Sequence, residues 1–285
     1  MRQALIDEKG FTDEQLPTER TLNTLLNRLG YSLKRVEKTK PVKKTKDVDE
    51  IFANVHKANK VSDEEPESLR ISIDTKAKVK IGEFSRSGRR RGKAAEKALD
   101  HDIAPDEVLV PLGILIVMSG RLTIVFGRKL ETTDFIVDGL ELWWQENQSN
   151  YPQIKELVIN LDNGPHLESH RTQFIKRMVE FSERTGLRIR LVYYPPYHSK
   201  YNPIERCWGA LERYWNGTTL DSIEKALQWA GNMTWKGLSP AIHFVEKIYE
   251  TGVSLTKKKL KKYLKRFKRS EKLPKWDVVI EPTAA

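Results

Sequence analysis

Residues 157–192 read LVINLDNGPHLESHRTQFIKRMVEFSERTGLRIRLV and contain the pattern that decides the fold. The apolar runs at 157–161 and 187–192 have the length of buried strands. Between them we predict a helix over residues 165–185. A strand, a helix and a second strand in this order are typical of an α/β sheet with parallel neighbours.

Further strands precede this stretch. From Leu69 to Asp74, apolar and polar residues alternate, which predicts a half-buried strand. Ser119-Gly120 lies between two apolar runs and suits a two-residue hairpin connection. Antiparallel strands followed by alternating strands and helices indicate a mixed sheet flanked by helices. The other predicted elements are a strand at 79–81, hairpin strands at 112–118 and 121–126, and helices at 132–147 and from Pro203.

The N-terminal residues divide into two predicted parts. Residues 18–29 place leucines at helical spacing between Thr18, a suitable N-cap, and Gly30. This helix suits either the second helix of a helix-turn-helix or an ordinary packing helix. We assign residues 1–47 to a small helical segment, a partial helix-turn-helix with a basic linker at its end. Residues 48–67, with a helix around 49–57 and the acidic SDEEPES segment, would connect it to the rest.

Basic residues outnumber acidic ones by 50 to 39, which gives a formal charge of +11. Such a surplus favours a polyanionic partner, either nucleic acid or an anionic membrane surface, although a soluble basic protein is an alternative. The linker at 33–46 is either solvated or in contact with DNA.

The C-terminal segment 251–285 has nine basic residues between 257 and 270, with Leu260, Leu264 and Phe267 at helical spacing. It predicts either a solvated helix or an arm that contacts phosphates. The candidate nucleic-acid contacts in this segment and in the basic loop after residue 86 are Arg89, Arg90, Arg91, Lys93, Lys257, Lys258 and Lys261.

Cysteine content and hydropathy narrow the class of protein. The single cysteine, Cys207, excludes an intramolecular disulfide and the usual thiolate zinc fingers. The N-terminus lacks the apolar core of a secretory signal. The longest apolar stretch, 108–118, is far shorter than the ~20 residues of a membrane helix. We expect a cytoplasmic, nucleoid-associated protein with no membrane partner.

Three acidic residues occupy positions suited to metal chemistry. Asp74 and Asp162 end predicted strands, and Glu205 lies in the first turn of the helix that begins at Pro203. The carboxyl ends of parallel strands meet at one edge of a sheet, where ligands collect. Carboxylate oxygens select Mg²⁺ or Mn²⁺, and two ions ~3.5–4 Å apart can promote in-line displacement at a phosphodiester. We expect the three carboxyl groups to face one cleft.

Each acid also has a purely structural explanation. Asp74 could be a solvent-facing residue at a strand end. Asp162 begins Asp-Asn-Gly, a good turn sequence. Asn202 as N-cap, Pro203 at N1 and Glu205 at N3 match a capping box, which stabilises a helix without any catalysis. The helical spacing of Trp208 with Ile204 and Leu211 predicts that its indole packs in the core.

Three segments resemble the catalytic blocks of DDE transposases, most closely the bacterial ISAzo type, a relative of the mariner branch. They are ISIDTKAKVKIGEFSRSG (71–88), LVINLDNGPHLESHRTQFIKRMVEF (157–181) and LVYYPPYHSKYNPIERCWG (191–209). The resemblance runs from about residue 49 to residue 276. It implies an RNase H-like DDE catalytic domain over residues 68–250. On it, Asp74, Asp162 and Glu205 correspond to the catalytic triad, which binds two Mg²⁺ or Mn²⁺ ions.

The resemblance also implies an activity and partners. The reaction would be metal-dependent cleavage of DNA at element ends, followed by attack of the 3′-hydroxyl on target DNA, in a synaptic complex of a homodimer. His198 and Lys200 would contact DNA, although His198 could instead pack within its loop. Relatives begin with a longer DNA-binding region, which this chain enters partway. The alternatives are a metal-dependent nuclease without strand transfer and a truncated, inactive DNA-binding protein.

Overall fold

The computed structural model describes residues 2–32, 47–100, 104–105 and 107–283. The predicted basic linker at 33–46 lies outside these residues. The chain divides into two compact units, Met1–Val42 and Lys43–Ala285. Within the described ranges, no helix is long and apolar enough to cross a membrane.

The smaller unit contains two helices, α1 (Arg2–Lys9) and α2 (Glu19–Arg28), joined by a 3₁₀ turn at Asp13–Gln15. The predicted helix α2 is confirmed, including its cap, because the Thr18 hydroxyl accepts a hydrogen bond from the Thr21 amide at 3.3 Å. No residue of α1 or α2 is buried. The helix-turn-helix assignment stays a prediction.

The larger unit is built on a mixed sheet, as predicted. The strands are β1 (Ser68–Thr75), β2 (Val79–Ile81), β3 (Glu107–Ile116), β4 (Leu122–Arg128), β5 (Glu156–Leu161), β6 (Arg188–Tyr193), β7 (Ala241–Val245), β8 (Phe267–Arg269) and β9 (Asp277–Ile280). Their order in the sheet is β7-β4-β3-β1-β5-β6-β9-β8, with β2 paired to β3. The parallel pairs are β1 with β5, β5 with β6 and β4 with β7, and the other pairs are antiparallel.

Helices cover both faces of this sheet. The helices are α3 (Val48–Glu64), α4 (Thr133–Asn147), α5 (Thr172–Thr185), α6 (Glu205–Trp215), α7 (Ile223–Gly231) and α8 (Lys257–Leu264). On one face, Leu69, Ile71 and Ile73 of β1 belong to an apolar cluster that contains buried apolar residues of α4 and α5. On the opposite face, α6 and α7 pack over β3 and β4, whereas α3 packs over β5 and β6.

Three predicted elements differ in detail. The strand β1 is covered on both faces and is not half-buried, because α3 and α6 pack over its polar side chains. The β3–β4 hairpin has a five-residue connection at 117–121, in which the Ile116 amide donates a hydrogen bond to the Arg121 carbonyl at 2.9 Å. The helix α5 begins seven residues later than predicted, after a series of turns.

The predicted segments at 48–67 and 251–285 are integral parts of the larger unit. Helix α3 does not act as a connection, since Ile51, Val55 and Ala58 are buried against the sheet. The basic C-terminal helix ends at Leu264 and does not continue to residue 270. Phe267 does not lie on the face of that helix, because it belongs to β8 and is buried there.

Candidate active site

A column of polar side chains runs along one face of β1. Arg70, Ser72 and Asp74 all point to the side where α3 and α6 pack, and all three are buried. Arg70 donates two hydrogen bonds to Asp63 on α3, at 2.8 and 2.7 Å. The column therefore follows the seam between the apolar cluster under α6 and α7 and the cluster under α3.

The two aspartates lie at the carboxyl ends of neighbouring parallel strands. Ser72 of β1 pairs with Asn160 of β5, and Asp74 and Asp162 each follow two residues later. Side chains two residues apart point to the same face of a sheet. The expectation that Asp74 and Asp162 come from parallel neighbouring strands is therefore confirmed.

Three buried hydrogen bonds join β1 to the start of α6. Ser72 Oγ donates to Asn202 Oδ1 at 2.6 Å and accepts from the Ile204 amide at 3.0 Å. Asn202 Nδ2 donates to the carbonyl oxygen of Ile73 at 3.0 Å. We call these three bonds the Ser72–Asn202 clamp. They bring the first turn of α6, which begins with Glu205, to the strand that carries Asp74.

The clamp replaces the capping box that the sequence suggests. Asn202 makes no side-chain cap to the helix, and α6 begins at Glu205. The amide oxygen of Asn202 is occupied by Ser72, because a buried partner on β1 is available to it. The Asn202 amide, to which Glu205 would bond in a capping box, donates instead to the Ser199 carbonyl at 2.7 Å, so the capping-box prediction is wrong.

A tryptophan of α6 fixes the orientation of Asp74. Trp208 Nε1 donates a hydrogen bond to Asp74 Oδ2 at 3.1 Å in a buried environment. The indole can approach because Gly113 pairs with Asp74 across the sheet and has no side chain. A Cβ at position 113 would lie 2.7 Å from both Ile204 Cδ1 and Trp208 Cη2. The predicted core packing of Trp208 is confirmed, and the indole also contacts the candidate site.

The pKa values of Asp74 and Asp162 are both raised, and other acids contribute to each rise. Burial raises the pKa of Asp74 to about 8, and the Asp162 and Glu205 carboxylates add to this rise. Burial also raises the pKa of Asp162, and the nearby carboxylates of Glu205 and Glu131 add to the rise. The hydrogen bond from the Gly164 amide acts in the opposite direction and lowers it. Clustered like charges favour protonation in this way.

Asp162 also forms the turn that its sequence predicts. Its Oδ1 accepts a hydrogen bond from the Gly164 amide at 3.0 Å. A fourth acid, Glu131, lies close enough to influence Asp162 and accepts a hydrogen bond from Thr75 Oγ1 at 2.8 Å. The turn and the candidate catalytic role are therefore compatible, because the second carboxylate oxygen is not used by this bond.

The donor set fits hard divalent cations, since it consists of carboxylate oxygens. The groups that raise the pKa of Asp74 are acids, and the groups that lower it are the neutral donors Trp208 and Thr75. A bound cation would offset this repulsion. Among the described residues, no three His, Cys, Asp or Glu side chains converge closely enough to hold one ion. Metal binding therefore requires these side chains to turn toward a common point.

The predicted basic loop lies against the segment that follows α6. Arg89, Arg90, Arg91 and Lys93 are all exposed. The guanidinium of Arg90 lies 4.4 Å from the ring centre of Trp229 and 3.5 Å from Glu96 Oε1. Together with residues 217–219, the loop encloses a cavity of about 570 Å³. The basic side chains thus line a solvent-accessible recess.

The other candidate DNA contacts lie in two places. The His198 ring packs edge-on against Phe52 of α3 at 5.3 Å, which agrees with the packing alternative. Lys200 is exposed, with its Nζ 5.3 Å from the ring centre of Tyr201. Lys257, Lys258 and Lys261 are exposed on α8.

Sequence reasoning misses the residues that assemble the site. The alternation along β1 marks Ser72 only as a polar position of a half-buried strand, and nothing in the sequence singles out Gly113. One feature of the sequence could have indicated this column. Arg70, Ser72 and Asp74 share one face of a predicted strand, and polar residues in such a row can bind one another and neighbouring helices when that face is covered. The pairing of Ser72 with Asn202 joins residues 130 positions apart, so no local pattern could predict it.

Comparisons with known proteins identify the family. A family model described as the Rhodopirellula transposase DDE domain matches residues 2–282. A solved Mos1 mariner paired-end complex with Mn has 11% identity and a TM-score of 0.48, over 80% of this chain and 68% of that one. The HTLV-2 integrase catalytic core domain with magnesium has 16% identity and a TM-score of 0.34, over 60% of this chain and 92% of that one. No curated protein matches the chain. Because the family model spans nearly the whole chain, with all three acids, the protein belongs to the DDE transposase family of the Rhodopirellula type.

Proposed function

We propose that this DDE transposase cleaves DNA at element ends and joins the 3′-hydroxyl to target DNA, with Asp74, Asp162 and Glu205 as the catalytic triad. The observation that supports this most directly is the parallel pairing of β1 with β5, in which Asp74 and Asp162 each follow two residues after the paired Ser72 and Asn160. The clamp adds to this support, because it holds the start of the helix that bears Glu205 against β1. The raised pKa values of Asp74 and Asp162 support a site built for cations.

The three carboxylates would hold two Mg²⁺ or Mn²⁺ ions. Such ions supply positive charge that activates the attacking oxygen and stabilises the leaving oxygen of an in-line displacement. The chain's own contribution is positioning. Trp208 orients Asp74, the Gly164 amide orients Asp162, and the clamp fixes the start of the helix that bears Glu205.

The partner would be DNA, both at the element ends and at the target. Exposed basic side chains of the loop and of α8 would contact phosphates, which position a duplex without reading its sequence. His198 and Lys200 lie in the loop that ends at the clamp, so their contacts would be near the cleaved bond. The active form would be a homodimer in a synaptic complex, which light scattering with and without DNA would detect.

The experiment is a cleavage and joining assay with labelled DNA in the presence of Mg²⁺. Asp162→Asn should abolish both products while its free energy of unfolding stays within about 1 kcal/mol of wild type or rises, since one like charge is removed. The control is Asp221→Asn, which changes an exposed aspartate that pairs with Lys225. Cleavage retained by Asp162→Asn would refute the triad.

The same assay separates the alternatives. Joined products support the transposase. Cleavage without joining would indicate a metal-dependent nuclease, and binding without cleavage would indicate an inactive DNA-binding derivative.

A further inference from the structure

The loop at 194–202 bridges the ends of the two strands that carry the aspartates. At its start, the Tyr194 amide donates to the carbonyl oxygen of Leu161, the residue before Asp162, at 2.9 Å. At its end, Asn202 Nδ2 donates to the carbonyl oxygen of Ile73, the residue before Asp74, at 3.0 Å. The side chains that this loop exposes therefore lie near the strand ends that carry Asp74 and Asp162.

The loop exposes two aromatic rings and a cation. Tyr197 is 66% exposed and Tyr201 is 49% exposed, so both rings are accessible to a ligand. The Nζ of Lys200 lies 5.3 Å from the ring centre of Tyr201. An aromatic face next to a positive charge suits a nucleobase and its phosphate.

Tyr197 also has a strained backbone. Its φ is +65°, a left-handed conformation that is an outlier for a bulky side chain. Gly or Asn would adopt this conformation more easily. Strain of this kind persists only where the surroundings enforce it, and it is concentrated at functional sites.

The surroundings of Tyr197 enforce the conformation. The His198 amide donates to the Pro195 carbonyl at 3.2 Å, and His198 Nδ1 lies 2.7 Å from the Pro196 carbonyl oxygen. The rings of His198 and Tyr201 pack edge-on against Phe52, at 5.3 and 5.1 Å. The loop is thus held firmly by α3 while the ring of Tyr197 remains in solvent.

We propose that Tyr197 is a stacking site for an unpaired nucleobase of the DNA strand next to the cleaved phosphodiester. Lys200 and Tyr201 would hold the adjoining backbone and base. This inference rests on the proposed function, since DNA must lie in the cleft. It adds a subsite that engages one base by its face, whereas the acids engage the phosphate.

The test uses the full chain and a duplex with a three-nucleotide single-stranded flap. The first unpaired position carries 2-aminopurine, whose fluorescence falls when it stacks. Wild type and Tyr197→Phe should quench the probe, because both have the ring. Tyr197→Gly and Tyr197→Asn should not, and they should bind the flapped duplex on the order of tenfold more weakly, as expected when one base–aromatic stack is removed.

The melting temperature provides the second readout. Tyr197→Gly and Tyr197→Asn relieve the backbone strain, so we expect melting temperatures equal to or above that of wild type. If the ring of Tyr197 served only to stabilise the fold, both variants would melt at lower temperatures than wild type. Lower melting temperatures with unchanged quenching would overturn the inference.

The remaining outcomes are also decisive. If wild type cleaves DNA and Tyr197→Gly cleaves and quenches equally well, the subsite is wrong and the proposed function stands. If Tyr197→Gly instead dissociates a dimer without changing the quenching, the ring belongs to a protein interface. If wild type neither binds nor cleaves DNA, both proposals fail.

Discussion

Replacing Asp74 by Asn should stabilise the metal-free protein, by an amount that grows with pH. The side chain is 8% exposed, and the pKa of its carboxyl is raised from 3.8 to about 8 by burial, Asp162 and Glu205. An acid whose pKa is higher in the folded state does not change the free energy of unfolding at low pH, where it is protonated in both states. The free energy of unfolding begins to fall near pH 4, where the carboxyl ionises in the unfolded chain, and the loss is complete above pH 8.

The size of the effect follows from the shift. About four pKa units at about 1.4 kcal/mol each give an upper limit of about 6 kcal/mol above pH 8. Asn has no charge but keeps an oxygen that can accept the hydrogen bond from Trp208. We therefore expect Asp74→Asn to raise the free energy of unfolding by at least about 2 kcal/mol at pH 8 and to leave it almost unchanged at pH 4.

Urea unfolding with EDTA at several pH values between about 4 and 8.5 measures this difference. Asp221→Asn changes an exposed aspartate paired with Lys225, and its free energy of unfolding should stay close to that of wild type over this range. Added Mg²⁺ should reverse the order, since only wild type has the complete set of carboxylates and ligand binding stabilises the folded state. If the difference in the free energy of unfolding between wild type and Asp74→Asn does not vary with pH, the pKa of Asp74 is not raised by burial and by Asp162 and Glu205.

Three further predictions concern the clamp, the packing of Trp208 and helix α8. Asn202→Ala should lower the free energy of unfolding, measured with urea, by about 2–4 kcal/mol. It removes two hydrogen bonds of the clamp and leaves the Ser72 hydroxyl without an acceptor. The same variant should bind Mn²⁺ more weakly in a calorimetric titration. Equal Mn²⁺ affinity would show that the clamp does not position Glu205. Gly113→Ala should cost about 1–3 kcal/mol and blue-shift or broaden the emission of Trp208, because the new Cβ meets the indole; an unchanged unfolding curve would contradict this packing. Replacing the lysines at 257–259 by Ala should flatten the slope of log K against log salt by about 0.9 for each phosphate that is no longer neutralised, and an unchanged slope would show that α8 is only a solvated helix.

Local patterns predict the parts of the fold that depend on local interactions. Strands β5 and β6 are short apolar runs with both faces covered, and helix α2 carries the hydroxyl cap at Thr18 that the sequence suggests. Local patterns also place Asp74 and Asp162 at the carboxyl ends of their own strands. These features require no knowledge of distant residues.

The parts that local patterns miss depend on partners far away in the chain. Asn202 matches a helix cap by every local criterion, yet its side chain is bonded to Ser72 and Ile73. Arg70 resembles a solvent-facing residue of β1 because the sequence does not show that Asp63 of α3 lies over it. Strands β8 and β9 are three and four residues long, too short for a periodic pattern to be recognised within a basic segment.

The position of β9 has a consequence for synthesis of the protein. This strand pairs with β6, and Asp277 accepts two hydrogen bonds from Arg190, at 3.0 and 2.8 Å. During translation, β6 emerges from the ribosome long before residues 277–280 do, so its outer row of amides and carbonyls lacks this partner until β9 is made. An unpaired strand edge of this kind is a template for association with other chains. Nascent chains of this enzyme therefore need protection at β6 for the time that roughly eighty residues take to be added, which at about 5–20 residues per second is about 4–16 seconds.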